Sequence, residues 1–119
     1  EVEFLVVIVA GGEGTKSIIN AQVLDALGRD GIFINISRGS TVDEEALLSA
    51  LENGSIKAAG LDVYWNEPNI NPRFLTLGNV VLQPHLASGT VETRKAMGKL
   101  VRDNLEAYFS GNPVLTPVT

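Results

Sequence analysis

The sequence of 119 residues contains no cysteine and only one histidine, one tryptophan and one methionine. Without cysteine, disulfide bonds and thiol chemistry are excluded, which fits a cytoplasmic protein. The longest apolar run covers only residues 4–10, far short of the roughly 20 residues that a transmembrane helix needs. No basic segment with a cleavage site opens the sequence, so we predict neither a signal peptide nor a membrane span.

Basic residues are also scarce. Nine lysines and arginines face 14 aspartates and glutamates, which gives a net charge of −5. Proteins that bind nucleic acids or anionic membranes usually carry a basic surface, so we expect no nucleic acid and no membrane as a partner. The length suits one domain and is too short for two.

Short apolar runs alternate with segments of helical periodicity. The runs predict strands at residues 4–10, 32–36, 58–63 and 80–82. Helices are predicted between Asn20 and Gly28, over residues 44–53 after an Asp43 cap, and from Gly89 or Thr90 to about residue 110. Strands that alternate with helices indicate right-handed crossovers and a parallel sheet, and hence an α/β fold.

Three functional side chains follow three successive predicted strands: Arg38, Glu67 and His85. Each has an ordinary explanation when taken alone, as a loop cap, a solvated carboxylate and a structural histidine. The carboxyl ends of parallel strands meet at one edge of the sheet, where ligands of such folds bind. Their joint placement therefore favours a functional site.

This combination of side chains suits the reduction of a 2-keto acid. An arginine can hold a carboxylate through two parallel hydrogen bonds. A histidine can give a proton to the carbonyl oxygen while a nicotinamide cofactor supplies the hydride. A carboxylate beside the imidazole fixes its tautomer and favours its protonated form.

Several motifs carry a family resemblance. Ile-Asn-Ile-Ser-Arg-Gly-Ser at residues 34–40, Val-Asp-Glu at 42–44, Gly-Leu-Asp-Val at 60–63, Asn-Glu-Pro at 66–68 and Pro-His-Leu-Ala-Ser at 84–88 resemble the D-2-hydroxyacid dehydrogenases. The resemblance runs through essentially the whole chain and is nearest to the glyoxylate/hydroxypyruvate reductase branch. It implies a Rossmann-like doubly wound parallel sheet, NAD or NADP as cofactor, a small 2-keto or 2-hydroxy acid as substrate, and a homodimeric parent protein.

The resemblance also implies residue roles. The matching arginine, Arg38, binds the substrate carboxylate, His85 is the acid/base, and Glu67 orients it. Asp62 matches the aspartate that contacts the nicotinamide carboxamide. The residues implied on the cofactor side are Ala10, Thr15, Ile36, Ser37, Arg38, Asp62, His85, Ala87 and Ser88. No metal site is expected.

Two features depart from the family pattern. Residues 10–15 read Ala-Gly-Gly-Glu-Gly-Thr, whereas the family usually has a sequence like Pro-Leu-Thr-Pro-Glu-Thr there. The glycine-rich dinucleotide fingerprint, and the residue that selects NAD or NADP, do not occur in this sequence. We therefore expect residues 1–110 to be the C-terminal half of an NAD(P)-binding domain, and residues 111–119 to be a tail that returns to an absent substrate domain.

Two alternatives remain open at this point. Dehydrogenase-like corepressors use the same fold and retain the same three residues, so a dinucleotide-sensing binding protein is the first. The second is that this chain has no activity by itself because half of its cofactor site is missing. Turnover of glyoxylate or hydroxypyruvate distinguishes an enzyme from a binding protein.

Overall fold

The computed structural model describes residues 2–118. The chain divides into two compact units, Glu1–Leu86 and Ala87–Thr119. The strands are β1 (Phe4–Val7), β2 (Ile32–Asn35), β3 (Ala58–Leu61) and β4 (Val80–Leu82), and the helices are α1 (Ala21–Leu27), α2 (Glu44–Asn53) and α3 (Val91–Phe109). Short 3-10 segments occupy Glu13–Thr15, Gly39–Thr41 and Pro72–Thr76.

The four strands form one parallel sheet in the order β1-β2-β3-β4. The predicted α/β fold with a parallel sheet is confirmed. Three of the strands end sooner than predicted, at Val7, Asn35 and Leu61. The apolar pattern continues past these residues, but the backbone there leaves the sheet to form the loops at its carboxyl edge, so the ladder ends.

The core lies on one face of the sheet, beneath α1 and α2. Phe33 of β2 is fully buried there, together with Leu24 of α1 and Leu48 of α2. The register places Leu5, Phe33, Ala59 and Val80 side by side on this face. Both helices pack against the same face because successive right-handed crossovers in one direction place their helices on one side.

The predicted caps delimit the helices. The Asn20 side chain accepts a hydrogen bond from Val23 N–H at the start of α1, and Asp43 accepts one from Ala46 N–H at the start of α2. Gly54 ends α2 in the left-handed conformation, with φ of 73°, which favours glycine. These local signals determine where α1 begins and where α2 begins and ends.

A long loop between β3 and β4 is fastened to α2 by Arg73. Its guanidinium donates to Glu52 Oε1 and Oε2 at 2.8 and 2.7 Å, and to Glu45 Oε2 at 2.7 Å. The hydrogen bonds to Glu52 and Glu45 raise the pKa of Arg73, so the arginine stays charged. The contact holds the outer part of the loop against the core helix.

In the second unit, Thr90 caps α3 by accepting a hydrogen bond from Thr93 N–H. Gly111, with φ of 75°, follows the helix. The tail then folds back along α3, where Thr116 N–H donates to the Asn104 side chain at 3.2 Å. No helix within residues 2–118 combines the length and apolar character needed to cross a membrane.

Strand β1 forms an edge of the sheet, since it pairs only with β2 among the described residues. Its side chains facing away from the core are apolar and exposed: 55% of Phe4 and 45% of Val6 is accessible. An apolar edge strand offers unpaired backbone groups to other chains. The strand is therefore a candidate site for self-association.

We predict that the 119-residue chain self-associates in solution through β1. Val6→Lys should weaken the association, because a charged side chain on an edge strand discourages pairing with another chain. Sedimentation velocity over a concentration series measures the effect. Leu115→Lys, which alters an exposed apolar residue outside the sheet, should leave the association unchanged. An unmutated chain that stays monomeric at every concentration would contradict the prediction.

Candidate active site

The structure brings two of the three predicted catalytic side chains into direct contact. His85 Nδ1 lies 2.7 Å from Glu67 Oε2. Glu67 follows β3 and His85 follows β4, so the contact joins the loops beyond two neighbouring strands. Arg38 follows β2, and its positive charge acts on the Glu67 carboxylate. The shared strand edge thus gathers the three side chains on one side of the sheet.

Both oxygens of the Glu67 carboxylate have a hydrogen-bond partner. Oε1 accepts a hydrogen bond from Tyr64 N–H at 2.9 Å, and Oε2 faces His85. Partial burial by itself raises the pKa of Glu67, but the hydrogen bonds with His85 and Tyr64 and the charges of His85 and Arg38 outweigh it. The pKa of Glu67 therefore lies below its ordinary value, and the group is ionised at neutral pH.

An ionised carboxylate accepts hydrogen bonds and donates none, which determines the tautomer of His85. Nδ1 must carry a proton to contact Glu67, so Nε2 is the ring atom left to exchange a proton with a substrate. The His85 side chain is 44% exposed, which leaves it accessible from outside. Glu67 and His85 thus form a pair suited to general acid–base chemistry.

The loop that carries Arg38 is organised by a buried asparagine. Asn35 ends β2 on the core face and is 1% exposed. Its Nδ2 donates to the carbonyl of Arg38 at 3.1 Å, and the hydroxyl of Thr41 donates to the same carbonyl at 2.7 Å. Arg38 Nη1 donates to the carbonyl of Ser37 at 2.6 Å. The backbone around Arg38 is therefore fixed while its side chain points outward from the core.

Asp62 fixes the other side of the His85 loop. It is buried, with 6% of its surface exposed, and its Oδ1 accepts a hydrogen bond from Leu86 N–H at 2.8 Å. His85 itself has a φ of 55°, a left-handed conformation that is uncommon for residues other than glycine. The Asp62 contact thus anchors the residue that follows this strained position.

A cleft of about 380 Å³ lies against the Glu67–His85 pair. Its other walls are largely apolar and include Ile70, Leu75 and Leu82. A volume of this order suits a small organic molecule. In the described part of the chain, no group of three or more acidic or histidine side chains is arranged to share a metal ion.

Comparison with known proteins identifies the family. The model of the D-isomer specific 2-hydroxyacid dehydrogenase NAD binding domain matches residues 1–87. The chain belongs to this family. The family assignment drawn from the sequence motifs and the Rossmann-like fold are both confirmed.

Individual members of the dehydrogenase family are similar along nearly the whole chain. A 2-ketogluconate reductase from Gluconobacter oxydans is 57% identical over 116 residues, and a glyoxylate/hydroxypyruvate reductase from Arabidopsis thaliana is 52% identical over 116 residues. These matches cover 98% of this chain and 37% of each relative. The chain thus spans little more than a third of the length of these relatives.

A solved structure is also similar along nearly the whole chain. An NADPH-dependent glyoxylate/hydroxypyruvate reductase from Sinorhizobium meliloti, in complex with NADP and malonate, superimposes with a TM-score of 0.95 at 55% sequence identity. The match covers 99% of this chain and 37% of that one. The fold described above is therefore that of one part of a dehydrogenase of this family.

The remaining residues predicted on the cofactor side fall into separate groups. Ser37 is buried, and its hydroxyl donates to Asn35 Oδ1 at 3.0 Å, whereas the neighbouring Ile36 is 40% exposed. The Thr15 hydroxyl donates to the carbonyl of Ala10 at 2.8 Å, which closes the loop after β1. Cofactor contacts at these positions stay predictions.

Two further predicted cofactor residues lie in the second unit. Ala87 and Ser88 are exposed and form a turn before α3. Their contact with a cofactor also stays a prediction. Within the first unit, the loop after β1 comes close to Arg38, because a Cβ atom at Gly11 would lie 2.7 Å from Arg38 Cγ.

Sequence reasoning missed the residues that hold the site loops together. Asn35 and Thr41 form hydrogen bonds inside the Arg38 loop, Trp65 connects that loop to the one after β3, and the Tyr64 hydroxyl connects the loop after β3 to Gln83 beyond β4. The signal for Asn35 was available, since an amide on the buried face of a strand must find partners. Nothing in the sequence indicated the contacts of Tyr64 and Trp65, which join residues distant along the chain.

Gly39 marks the point where the loops after β2 and β3 meet. A Cβ atom at this position would lie 2.0 Å from the carbonyl carbon of Tyr64, and backbone cannot move aside as a flexible side chain does. Next to it, Trp65 Nε1–H donates to the carbonyl of Val42 at 2.7 Å. The two loops therefore pack backbone against backbone.

We predict that Gly39→Ala destabilises the protein by about 1–3 kcal/mol, the usual cost of forcing extra volume into a packed site. It should also shift the emission of Trp65, the single tryptophan, because the indole contact with Val42 is displaced. Thermal unfolding and tryptophan fluorescence measure the two effects. Gly14→Ala is the matched control, since a Cβ there meets nothing within 4 Å. Equal behaviour of the two variants would refute the close approach.

Proposed function

We propose that this chain carries the proton-transfer and substrate-anchoring residues of an oxidoreductase. The enzyme transfers hydride between NADH or NADPH and a small 2-keto acid such as glyoxylate or hydroxypyruvate. The observation that supports this best is the 2.7 Å contact between His85 and an ionised Glu67, with Arg38 on the same edge of the sheet. The names of the reductases quoted above favour the same class of reaction.

Arg38 is the proposed anchor for the substrate carboxylate. One of its N–H groups donates to the carbonyl of Ser37, which holds the guanidinium in one orientation. The other donors of its planar fork match the two oxygens of a carboxylate. An anchored carboxylate places the adjacent ketone at a fixed distance from the anchor, which is how orientation lowers a reaction barrier.

His85 is the proposed acid that protonates the ketone oxygen. Its Nδ1–H is taken by Glu67, so the proton leaves from Nε2. The negative charge of Glu67 stabilises the imidazolium before the transfer. In the opposite direction, Nε2 of the neutral ring removes the hydroxyl proton of a 2-hydroxy acid, and Glu67 stabilises the charge that results.

The residues present fit the nicotinamide end of a dinucleotide. Asp62 supplies a buried carboxylate beside the His85 loop, and a carboxylate accepts hydrogen bonds of the kind that a carboxamide NH₂ donates. Ser37 and Ile36 lie at the end of the neighbouring strand β2. A bound NADH or NADPH supplies the hydride.

The proposal includes further features that the family resemblance implies. Residues 1–110 form the C-terminal half of the NAD(P)-binding domain, and residues 111–119 lead to a substrate domain. The intact enzyme is a cytoplasmic homodimer. These features do not by themselves distinguish a reductase from a corepressor. Turnover does, so the experiments below measure it directly.

The test uses a chimera in which residues 1–119 replace the matching segment of the Gluconobacter oxydans 2-ketogluconate reductase. We expect the chimera to oxidise NADH or NADPH with glyoxylate or hydroxypyruvate. His85→Ala in the chimera should lower kcat by about 10²–10⁴-fold, the usual contribution of a general acid–base group. Near-normal turnover of this variant at neutral pH would overturn the assignment of His85.

Glu67→Gln tests the partner of His85 through its pH dependence. The pKa of Glu67 is lowered from 4.5, so the carboxylate is ionised above that pH and is protonated only as the pH falls through the lowered value. The ratio of kcat between the unmutated chimera and Glu67→Gln should therefore fall towards one once the pH drops below 4.5 and the carboxylate becomes protonated. Glu106→Gln, on α3, should show no such trend.

A lysine at position 38 separates the role of the positive charge of Arg38 from that of its planar guanidinium. Arg38→Lys keeps the positive charge but loses the planar fork, so it should recover only part of the kcat/KM lost in Arg38→Ala. Arg29→Ala, which removes an arginine from the loop between α1 and β2, is the control. An Arg38→Lys chimera as active as the unmutated one would show that the carboxylate is not held by two parallel hydrogen bonds.

A further inference from the structure

We infer that Tyr64 is a positioning residue whose hydroxyl holds His85 in the orientation needed for proton transfer. The structural part of this inference stands on the contacts of the first unit. Its kinetic consequence rests on the function proposed above.

The Tyr64 hydroxyl bridges the carboxyl ends of two strands. It lies 2.9 Å from the carbonyl oxygen of Leu61, the last residue of β3, and 2.8 Å from that of Gln83, the residue after β4. A phenol has one proton, and the Leu61 carbonyl already accepts a hydrogen bond from Gln83 N–H at 2.8 Å, so the Gln83 carbonyl is the acceptor that depends on the hydroxyl. The side chain thereby ties the start of the His85 loop to the end of β3.

The contact with Gln83 matters because of the residue that follows. Pro84 has no N–H group, so the carbonyl of Gln83 is the hydrogen-bonding group of the peptide that leads into His85. On the far side of His85, Leu86 N–H donates to Asp62. His85 is thus held between two fixed points, one supplied by Tyr64 and one by Asp62.

The backbone of His85 shows why both points are needed. Its φ of 55° lies in the left-handed region, which is uncommon for residues with a Cβ, and contacts on both sides of His85 help to hold it there. Releasing the Gln83 carbonyl allows the backbone of His85 to relax towards negative φ. Such a relaxation would turn the imidazole away from Glu67, since the side chain follows the rotation of its own Cα.

The hydroxyl can be removed without removing the other functions of Tyr64. Its backbone N–H, which donates to Glu67 Oε1, is kept in any variant other than proline. Its ring packs edge-on against Phe74 at 6.5 Å between centroids, and a phenylalanine keeps that contact. Burial raises the pKa of Tyr64, and the charges of Asp62 and Glu67 act in the same direction, so the native hydroxyl remains a donor at neutral pH.

The first experiment reads the tautomer of His85 by ¹⁵N NMR of the 119-residue chain, at the alkaline end of a pH series where the ring signals no longer change with pH. Because His85 is the single histidine, its two ring nitrogens give the only imidazole signals. In the unmutated chain we expect the Nδ1–H form to dominate, since Glu67 accepts from Nδ1. In Tyr64→Phe the share of Nδ1–H should fall towards that of free histidine, which favours Nε2–H.

Tyr108→Phe is the matched control. The protein has two tyrosines, and Tyr108 lies on α3 with 67% of its surface exposed. This control should leave both ring signals of His85 where they are. Thermal unfolding of all three proteins shows whether Tyr64→Phe keeps the fold, which we expect because the ring contact with Phe74 is retained.

The second experiment measures kinetics in the chimera described above. Tyr64→Phe should lower kcat by about two- to tenfold, the equivalent of one ordinary hydrogen bond, with KM nearly unchanged because Arg38 binds the substrate independently. Equal changes in kcat and KM would indicate a general loss of structure and would overturn the inference.

The two experiments separate this inference from the proposed function. An unchanged His85 tautomer in Tyr64→Phe overturns the inference, whatever the turnover of the chimera. If the unmutated chimera has no turnover, the proposed function fails, while the NMR result still decides whether Tyr64 positions His85. A shifted tautomer accompanied by a matching loss of thermal stability would assign Tyr64 a purely structural role and also count against the inference.

Discussion

The loops at the carboxyl edge of the sheet depend on one close approach, between Gly39 and the backbone of Tyr64. No side chain fits at Gly39, so the loops after β2 and β3 pack at the distance of bare backbone. The indole of Trp65 then reaches the carbonyl of Val42 across the same junction. Arg38 precedes this contact and Glu67 follows it, so their separation is set by a steric constraint between residues that carry no charge.

The polar residues of this region divide into two kinds by exposure. Asn35 and Asp62 are buried, and the hydrogen bonds described above join them to backbone groups or neighbouring side chains of the loops that they stabilise. Arg38, Glu67 and His85 are exposed and face outward. A buried polar group must be satisfied within the protein, so the first kind determines the shape of the loops. The second kind retains capacity for a ligand.

Local signals in the sequence predicted the fold well and the loop contacts poorly. The caps at Asn20 and Asp43 and the strand Val80–Leu82 have short-range causes and were predicted correctly. The predicted strand over residues 4–10 was too long, because Ile8 and Val9 are apolar yet lie beyond the last paired residue, Val7. Apolar character alone does not show where hydrogen bonding between strands stops.

The candidate site was predicted only in part, for a related reason. Strand order brings Arg38, Glu67 and His85 to one edge, and that follows from topology. The hydrogen bond from Tyr64 to Gln83 joins residues 19 positions apart and depends on how the Tyr64 ring packs between two loops. Such a contact is a result of tertiary packing, for which a single sequence has no periodic signature. The motif resemblance implies residue roles, whereas the supporting contacts are visible only in the folded structure.

The way in which Asn35 and Thr41 hold the Arg38 loop has a consequence for the evolution of specificity. Both side chains bond to the carbonyl of Arg38, so the path of the loop does not depend on the identity of its exposed residues. Ile36, which is 40% exposed within this loop, can therefore vary while the path of the chain stays the same. Substitutions on the exposed surface of this loop would therefore change its chemistry without changing its path.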